Sequence, residues 1–202
     1  MLIEDDEIEY IRHPKITFIN INQFDFLIRD GFNCTRKFPY TAMVRCFFTK
    51  ILKEDKILYL DIDTVVDGDL SGLWNFPLGG SCIAARSEQP EKSDRVLPVG
   101  YFNSGVLLMN LKLIKGLHYD DAMIRLLKYC KFQFPDQDAM NIVFKKSVQY
   151  IPFKYNVLGG DEVYDYDVII RHYAGLIKPW KENATEADKA FWNKYYTKEL
   201  IY

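Results

Sequence analysis

The sequence predicts an α/β fold in which a mostly parallel β-sheet is flanked by helices. Short apolar runs rich in β-branched residues alternate along the chain with segments whose apolar residues recur at helical spacing. This alternation is typical of strands joined by helical crossovers. The chain has 202 residues, 49% of them hydrophobic, which is enough for a core of its own. Because no linker rich in glycine, serine or proline divides it, we expect a single domain over residues 1–202.

Five segments are predicted strands because they are short and apolar and are bounded by polar or turn residues. They cover residues 15–21, 56–60, 81–85, 103–109 and 167–172. Four segments with helical periodicity or a capping residue are predicted helices. They cover residues 41–53, 121–131, 137–146 and a terminal stretch after Thr185, with Asp120, Asp136 and Thr185 as N-caps. Since ligands of open α/β sheets bind at the carboxyl ends of strands, a functional site is expected there.

Composition excludes several functions and selects none by itself. The net charge of -2 and the pI of about 5.9 provide no basic field for a nucleic acid. No run of about 18 apolar residues is present, so we expect no membrane-spanning helix. The first residues are largely acidic, unlike a secretory signal peptide. The four cysteines lack CxxC spacing, which favours reduced thiols in a cytoplasmic protein over a disulfide or zinc site.

The most informative local feature is a pair of carboxylates at the end of the predicted strand 56–60. Asp61 and Asp63 follow that strand at positions i and i+2. Charges are costly to bury unless they are paired or coordinated, and two carboxylates at a strand end can converge on one ion. Mg²⁺ and Mn²⁺ prefer such oxygen ligands. A polar loop that merely ends the strand is the alternative, and the nearby Asp67 and Asp69 favour the metal site.

Two classes of enzyme place an Asp-x-Asp pair at a strand end. In haloacid-dehalogenase-like phosphatases the first aspartate is a nucleophile, and residues 160–165 (GDEVYD) match a later acidic motif of that class. In nucleotide-sugar transferases the pair instead holds a metal that bridges the donor diphosphate. The turn itself leaves both interpretations open.

A second polar cluster, HYAGLIKPW at residues 172–180, begins at the end of the predicted strand 167–172. His172 can join the two carboxylates on an ion. Gly175 lets backbone N–H groups approach phosphate oxygens, and Lys178 can neutralise phosphate charge. A lone histidine at a strand end is often structural. The full pattern, in which His172, Gly175 and Lys178 follow one another at intervals of three residues, indicates a diphosphate site.

Four motifs together resemble glycosyltransferase family 8 in their order and spacing, over about residues 12–182. They are Asp61-Ile62-Asp63, FNSGVLLMN at 102–110, DQD at 136–138 and HYAGLIKPW at 172–180. The family includes glycogenin, galactinol synthase and bacterial lipopolysaccharide galactosyl- and glucosyltransferases. The resemblance implies a GT-A-type, Rossmann-like fold and a retaining hexosyltransferase. Its donor would be UDP-glucose or UDP-galactose, and its acceptor a saccharide such as a cell-envelope glycan or lipopolysaccharide. The phosphatase alternative explains only the two acidic motifs.

The resemblance also implies the metal and diphosphate ligands. Asp61, Asp63 and His172 would bind Mn²⁺, with Mg²⁺ as an alternative, and the metal would grip the diphosphate of the UDP-sugar. As a Lewis acid it would stabilise the charge that grows on the departing UDP. Gly175 and Lys178 would hold the same diphosphate.

The remaining donor-binding residues implied by the resemblance are Arg45, Ile62, Asn103, Asp136 and Gln137. Asp136 and Gln137 would lie over the sugar ring as the candidate catalytic pair, with Asp138 supporting them. Gln137 matches the position of a nucleophile, but an amide oxygen is a poor one, so front-side attack by the acceptor competes with a covalent intermediate. The alternative for Arg45 is a solvated arginine on a helix. The alternative for Asp136 is a helix N-cap.

Family members usually begin with a strand and polar turn that hold uracil and ribose, followed by a second strand and helix. The resemblance therefore implies that this chain lacks the N-terminal part of the fold. The alternative function is a catalytically incomplete relative that binds metal and diphosphate or needs a partner. The tail 189–198 mixes lysine with aromatic residues, as does a packed terminal helix or a helix on the inner membrane face. We expect a cytoplasmic protein, and peripheral contact with the inner membrane face is the alternative interpretation of this tail.

Overall fold

The structure, a computed structural model, describes residues 2–3, 14–24, 29–88, 96–159, 161 and 168–196. The chain forms two compact units. One comprises Met1–Leu27 and Pro179–Tyr202, and the other comprises Ile28–Lys178. Every candidate site residue of the sequence analysis belongs to the second unit. A single domain over residues 1–202 stays a prediction.

Strands and helices alternate along the described chain, which confirms the α/β class. The strands are β1 (Leu2–Ile3), β2 (Ile19–Asn20), β3 (Lys56–Leu60), β4 (Thr64–Val66), β5 (Ile83–Ser87), β6 (Phe102–Asn110), β7 (Val148–Tyr150), β8 (Val157–Leu158) and β9 (Ile170–His172). The α-helices are α1 (Tyr40–Met43), α2 (Phe48–Ile51), α3 (Ser71–Trp74), α4 (Leu111–Gly116), α5 (Tyr119–Tyr129), α6 (Pro135–Val143) and α7 (Glu186–Asn193). Short 3-10 helices cover Ile21–Gln23, Val44–Phe47 and Phe153–Tyr155.

The main sheet of the larger unit has the strand order β3-β6-β5-β7. β6 runs antiparallel to both of its neighbours, whereas β5 and β7 are parallel. A second sheet has the order β4-β9-β8, with one antiparallel and one parallel pair. The expectation of a mostly parallel sheet is therefore wrong for the described strands of the larger unit, whose two sheets are mixed. An apolar run shows that a strand is buried but not in which direction it runs. The described part of the β5–β6 connection, Glu88 and residues 96–101, holds no helix that could return the chain for a parallel pairing.

The core lies around β5 and β6. Residues 102–109 of β6 are all buried, and Ile83, Ala84 and Ala85 of β5 have no exposed surface. Helix α6 packs against β6 and helix α4 packs against β3, so helices flank the sheet as predicted. A strand buried on both faces favours apolar side chains, which explains the apolar run 106–109 in β6.

The antiparallel pairing of β3 and β6 places the end of β3 beside the middle of β6. Leu60 pairs with Val106, and the next N–H group, that of Asp61, donates to the carbonyl oxygen of Gly105 at 2.8 Å. In the second sheet, Thr64 pairs with His172. Both pairings bring polar residues from distant parts of the sequence to one edge, where the candidate site forms.

Three predicted helices shift or break. The segment 41–53 is α1, a 3-10 turn and α2 rather than one helix. The N-caps of α5 and α6 are His118 and Phe134, so the predicted caps Asp120 and Asp136 are wrong and lie in the first turns. Tertiary partners explain this, because the Asp120 carboxylate accepts from the Thr49 hydroxyl at 2.6 Å and Asp136 pairs with an arginine.

The smaller unit pairs β1 with β2 in parallel and contains α7. Of the predicted strand 15–21, only Ile19–Asn20 is a strand. The predicted cap Thr185 is confirmed, since its hydroxyl accepts from the Asp188 N–H at 3.1 Å. Within the described residues, no helix combines the length and apolar character needed to span a bilayer.

Candidate metal and donor site

Three side chains that could hold one metal ion converge at the ends of β3 and β9. The Nε2 atom of His172 lies 3.5 Å from Oδ2 of Asp61 and 3.3 Å from Oδ1 of Asp63. One ligand atom from each residue lies within 4.8 Å of the others. The structure thus brings together the three predicted metal ligands, although Asp61 and His172 are 111 residues apart in sequence (172 minus 61).

One carboxylate oxygen of Asp61, Oδ1, is held by two donors. The Tyr59 hydroxyl donates to Oδ1 of Asp61, and Nη2 of Arg45 lies 2.7 Å from the same oxygen. Arg45 also stacks over the Tyr59 ring, with its guanidinium carbon 4.5 Å from the ring centroid. With Oδ1 committed to these partners, Oδ2 of Asp61 is directed toward His172.

Asp63 is held in the same manner by Lys178. The Nζ atom of Lys178 lies 2.5 Å from Oδ2 of Asp63 and donates to the Tyr173 carbonyl oxygen at 2.7 Å. Burial by itself raises the pKa of Asp63, but the hydrogen bonds and charges of His172 and Lys178 outweigh it and lower the pKa to about 2. Asp63 is therefore a carboxylate at neutral pH, as a metal ligand must be.

The close approach of His172 to Asp61 requires a glycine on β6. A β-carbon at Gly105 would lie 2.0 Å from Cε1 of His172 and 2.8 Å from Oδ2 of Asp61, far inside contact distance. Residue 105 belongs to the quoted FNSGVLLMN motif, but its role was not predicted. A glycine inside an otherwise bulky strand indicates a close approach, which is the signal that could have found it.

Arg45 connects the metal ligands to the residues on α6. Its Nε atom lies 3.2 Å from Oδ2 of Asp136, and Nη1 donates to the Ser104 carbonyl oxygen at 2.7 Å. The side chain is only 8% exposed, so the alternative of a solvated helix arginine is wrong. Burial lowers the pKa of Arg45, but the carboxylates of Asp136 and Asp61 outweigh it and raise the pKa above its ordinary value. Burial, aided by the charge of Asp61, raises the pKa of Asp136 despite the guanidinium.

Gln137 is held by four neighbours in a fixed orientation. Its Oε1 accepts from the Ser104 N–H at 3.0 Å and from Nδ2 of Asn103 at 3.4 Å. Its Nε2 donates to Oε1 of Glu88 at 3.1 Å and to the Tyr101 hydroxyl at 3.3 Å. The structure thus brings Asn103 and Gln137 together, and their contact with a donor sugar stays a prediction. Glu88, Tyr101 and Ser104 were not predicted, because no local pattern links them to residue 137.

Asp138 contacts Tyr101, which in turn contacts Gln137, and its supporting role stays a prediction. Its Oδ1 accepts from the Tyr101 hydroxyl at 2.5 Å, and its Oδ2 accepts from the Phe134 N–H at 2.9 Å. The carboxylate thus joins the start of α6 to the tyrosine that contacts Gln137.

Two further predicted donor ligands, Ile62 and Gly175, lie close in sequence to the metal ligands and are exposed. Ile62, between the two aspartates, is 96% exposed. Gly175 has φ of 94°, a conformation that favours glycine. The predicted site residues therefore lie along one edge of the larger unit, in a metal-capable half and an amide-lined half joined by Arg45.

Comparison with known proteins identifies the family. The chain combines an α/β fold with a metal-capable Asp-x-Asp turn at a strand end, a combination typical of nucleotide-sugar transferases. The family model described as glycosyl transferase family 8 matches residues 3–184. The chain therefore belongs to glycosyltransferase family 8.

Relatives and solved structures agree with this assignment. A lipopolysaccharide 1,2-glucosyltransferase of Escherichia coli is 30% identical over 172 residues, covering 73% of this chain and 51% of that protein. The crystal structure of an active-site mutant of LgtC superimposes with a TM-score of 0.72 at 26% identity, covering 89% of this chain and 74% of that one. The glycosyltransferase GlyE of Streptococcus pneumoniae superimposes with a TM-score of 0.64 at 27% identity, covering 83% and 49%. The chain spans about half the length of the curated relatives it matches.

The phosphatase alternative finds no support in the structure. Most of its second acidic motif, Gly160 and residues 162–165, lies outside the described residues. The described member, Asp161, forms a buried ion pair with Arg86 at 2.6 Å rather than joining the carboxylates at the end of β3.

Proposed function

We propose that this chain binds a UDP-hexose through a divalent metal and transfers the hexose to a saccharide acceptor with retention of anomeric configuration. UDP-glucose or UDP-galactose is the proposed donor, and a cell-envelope glycan of the lipopolysaccharide type is the proposed acceptor. The observation that carries the proposal is the convergence of Asp61, Asp63 and His172 beside the amides of Asn103 and Gln137. Family membership supports the reaction class, and the E. coli relative supports the class of acceptor.

The three converging ligand atoms fit a single divalent ion. Two carboxylate oxygens and one imidazole nitrogen suit Mn²⁺, and Mg²⁺ is the alternative. Gly105 leaves the space that these ligands need to approach one another. When bound, the metal would supply Lewis-acid stabilisation of the charge on the departing diphosphate.

Lys178 and Gly175 are proposed to hold the donor diphosphate. The Lys178 ammonium group already lies beside the candidate metal ligand Asp63, so it would be placed to pair with a diphosphate held at that site. Gly175, without a Cβ, lets its backbone N–H approach phosphate oxygens. Exchange of Asp63 for a phosphate oxygen as the partner of Lys178 would keep that ammonium paired throughout.

The hexose is proposed to lie against Asn103, Asp136 and Gln137, with Ile62 and Arg45 completing the donor site. Oε1 of Gln137 already accepts two hydrogen bonds, and Asp136 is paired with Arg45, so neither is a ready nucleophile. This arrangement favours front-side attack. The acceptor oxygen would bond to the anomeric carbon as the bond to the UDP oxygen breaks, and the hydroxyl proton would pass to the departing phosphate.

The site is tested by calorimetric titration of the chain with UDP, with and without Mn²⁺. Binding should require the metal and should be lost in Asp63→Asn. The matched control is Asp121→Asn, which removes an exposed aspartate whose partner is also a lysine, Lys50 at 3.0 Å. The control should bind as the unsubstituted chain does. Failure of a folded chain to bind UDP, or UDP binding that is the same with and without Mn²⁺, would overturn the proposal.

A cytoplasmic location at the inner face of a membrane is also part of this proposal. The described end of the tail exposes Tyr195 and Tyr196 beside Lys194, which supports it. Trp180 and Trp192 contact each other with ring centroids 4.9 Å apart, so packing within the smaller unit explains part of the aromatic content. Sedimentation with anionic vesicles tests membrane contact, which predicts binding that salt weakens.

A further inference from the structure

A fully buried amide, Asn156, lies between the two halves of the site. It directly follows the 3-10 helix Phe153–Tyr155 and has no exposed surface. Its Oδ1 lies 3.0 Å from Nδ1 of His172, and its Nδ2 donates to Oδ1 of Asn103 at 3.0 Å. The amide therefore contacts one metal ligand and one residue of the amide-lined half at the same time.

One backbone N–H group determines the direction of each hydrogen bond in the series that links Asn103, Asn156 and His172. The Gly105 N–H can only donate, and it donates to Oδ1 of Asn103 at 2.9 Å. The atom of Asn156 that faces this oxygen must then be its NH₂ group, so its carbonyl oxygen faces His172. Because that oxygen can only accept, Nδ1 of His172 must carry the proton. Nε2, which faces Asp61 and Asp63, is then the ring nitrogen available to bind a metal ion.

The backbone of Asn156 is held as firmly as its side chain. Nη1 of Arg86 donates to the Asn156 carbonyl oxygen at 2.6 Å and to Oδ2 of Asp161 at 2.6 Å. The side chains of Arg86 and Asp161 are 5% and 4% exposed. The Asn156 N–H donates to the Phe153 carbonyl oxygen at 3.0 Å. A buried ion pair outside the site thus fixes the position from which the amide reaches His172.

At its Asn103 end, this series of hydrogen bonds reaches Gln137, a member of the candidate catalytic pair. Nδ2 of Asn103 donates to Oε1 of Glu88 at 3.2 Å and to Oε1 of Gln137 at 3.4 Å. The Ser104 N–H sets the orientation of the Gln137 amide, just as the Gly105 N–H sets that of Asn103. Two consecutive backbone N–H groups of β6 therefore orient the amides of Asn103 and Gln137.

We propose that Asn156 is a positioning residue that selects the Nδ1-protonated tautomer of His172 and couples the metal ligand to Asn103. A metal-binding histidine usually donates its second N–H to a partner that fixes its tautomer, and loss of such a partner costs about 10- to 100-fold in metal affinity. The catalytic meaning of Asn156 rests on the proposed function, whereas its effect on the tautomer does not.

The first test is ¹⁵N nuclear magnetic resonance of the histidine rings in the metal-free chain in mildly alkaline buffer. The chain has three histidines, so His13→Gln and His118→Gln assign the signals of His172. The proposal requires Nδ1 to carry a proton, whether or not Nε2 also carries one. The opposite tautomer in the unsubstituted protein would overturn it, whether or not any variant folds.

The second test removes the amide. Asn156→Leu should lose the single tautomer and bind Mn²⁺ about 10- to 100-fold more weakly. The matched control is Asn33→Leu, because Asn33 is also a buried amide, donating to the Leu127 and Cys130 carbonyl oxygens at 2.7 Å each. This control should lower the melting temperature while leaving the His172 tautomer and Mn²⁺ affinity unchanged. Equal effects of the two variants on Mn²⁺ affinity would contradict a specific role for Asn156.

A third variant separates the two contacts of Asn156. Asn156→Asp keeps an acceptor for Nδ1 of His172 but presents a second acceptor to Oδ1 of Asn103. Mn²⁺ affinity should therefore be largely retained, while binding of an intact UDP-sugar weakens relative to UDP alone. If Asn156→Asp lowers Mn²⁺ affinity as much as Asn156→Leu does, the role assigned to the His172 contact is wrong, and if it binds the UDP-sugar as the unsubstituted chain does, the link to Asn103 is wrong. A chain that shows the expected tautomer and metal affinity but transfers no sugar would refute the proposed function and leave the role of Asn156 standing.

Discussion

Substitution of Gly105 by alanine should abolish the metal site while leaving most of the fold in place. The new methyl carbon would lie 2.0 Å from Cε1 of His172, and ordinary contact begins at 3.4 Å, so the imidazole must move by about 1.4 Å (3.4 minus 2.0). Metal–ligand distances tolerate only about ±0.2 Å. His172 is 2% exposed and also contacts Asn156, so it cannot make room without losing that hydrogen bond. We expect Mn²⁺ affinity to fall at least 10- to 100-fold, as for loss of a supporting contact.

The assay is a titration of the variant with Mn²⁺, followed by the electron paramagnetic resonance signal of the free ion. Thermal unfolding run in parallel should show a cost of about 1–3 kcal/mol, the usual range for an added methyl in a packed core. The control is Gly116→Ala at the end of α4, where an added Cβ meets nothing within 4 Å. This control should bind Mn²⁺ normally. A Gly105→Ala protein that binds Mn²⁺ as tightly as the unsubstituted chain would refute the reasoning.

Three further outcomes follow from the site. Lys178→Met should weaken UDP binding in the presence of saturating Mn²⁺ while Mn²⁺ binding itself persists, as measured by calorimetry, because the ammonium is proposed to contact phosphate. The pKa of Asp63 falls from an ordinary 3.8 to about 2 in the folded chain, so its contribution to the free energy of unfolding is present above pH 3.8 and is lost as pH falls through about 2. In metal-free urea titrations, Asp63→Asn should lack that part of the acid destabilisation. Arg45→Met should destabilise the chain by about 3–5 kcal/mol in urea denaturation, because it leaves Asp136 and Asp61 without their cation. A loss below about 1 kcal/mol would show that water replaces the guanidinium.

The helix caps show where local patterns mislead. An aspartate before a helical run is a good N-cap, and by that rule both Asp120 and Asp136 were predicted caps. In the structure each carboxylate has a partner on another segment, Thr49 for the first and Arg45 for the second. A contact between segments distant in sequence leaves no trace in the local spacing, so it could not be predicted. Thr185 has its cap bond within its own helix, and there the prediction is confirmed.

Residue type and short-range spacing were sufficient to predict the α/β class and the residues that could hold metal and diphosphate, and the resemblance of four motifs predicted the family. These depend on chemistry carried by adjacent residues, such as two carboxylates that follow a buried strand or a histidine, glycine and lysine three residues apart. The ligand roles themselves stay predictions until metal or donor binding is measured.

The direction of β6 and the neighbours that orient each ligand became known through the tertiary structure. Apolar runs look the same for parallel and antiparallel strands, yet direction decides that Gly105 and Asn103 lie at the same edge as Asp61. Asn156 and Glu88 carry no motif that marks them. Their hydrogen bonds join residues between 15 and 53 positions apart, and the folded backbone alone brings such residues within hydrogen-bonding distance.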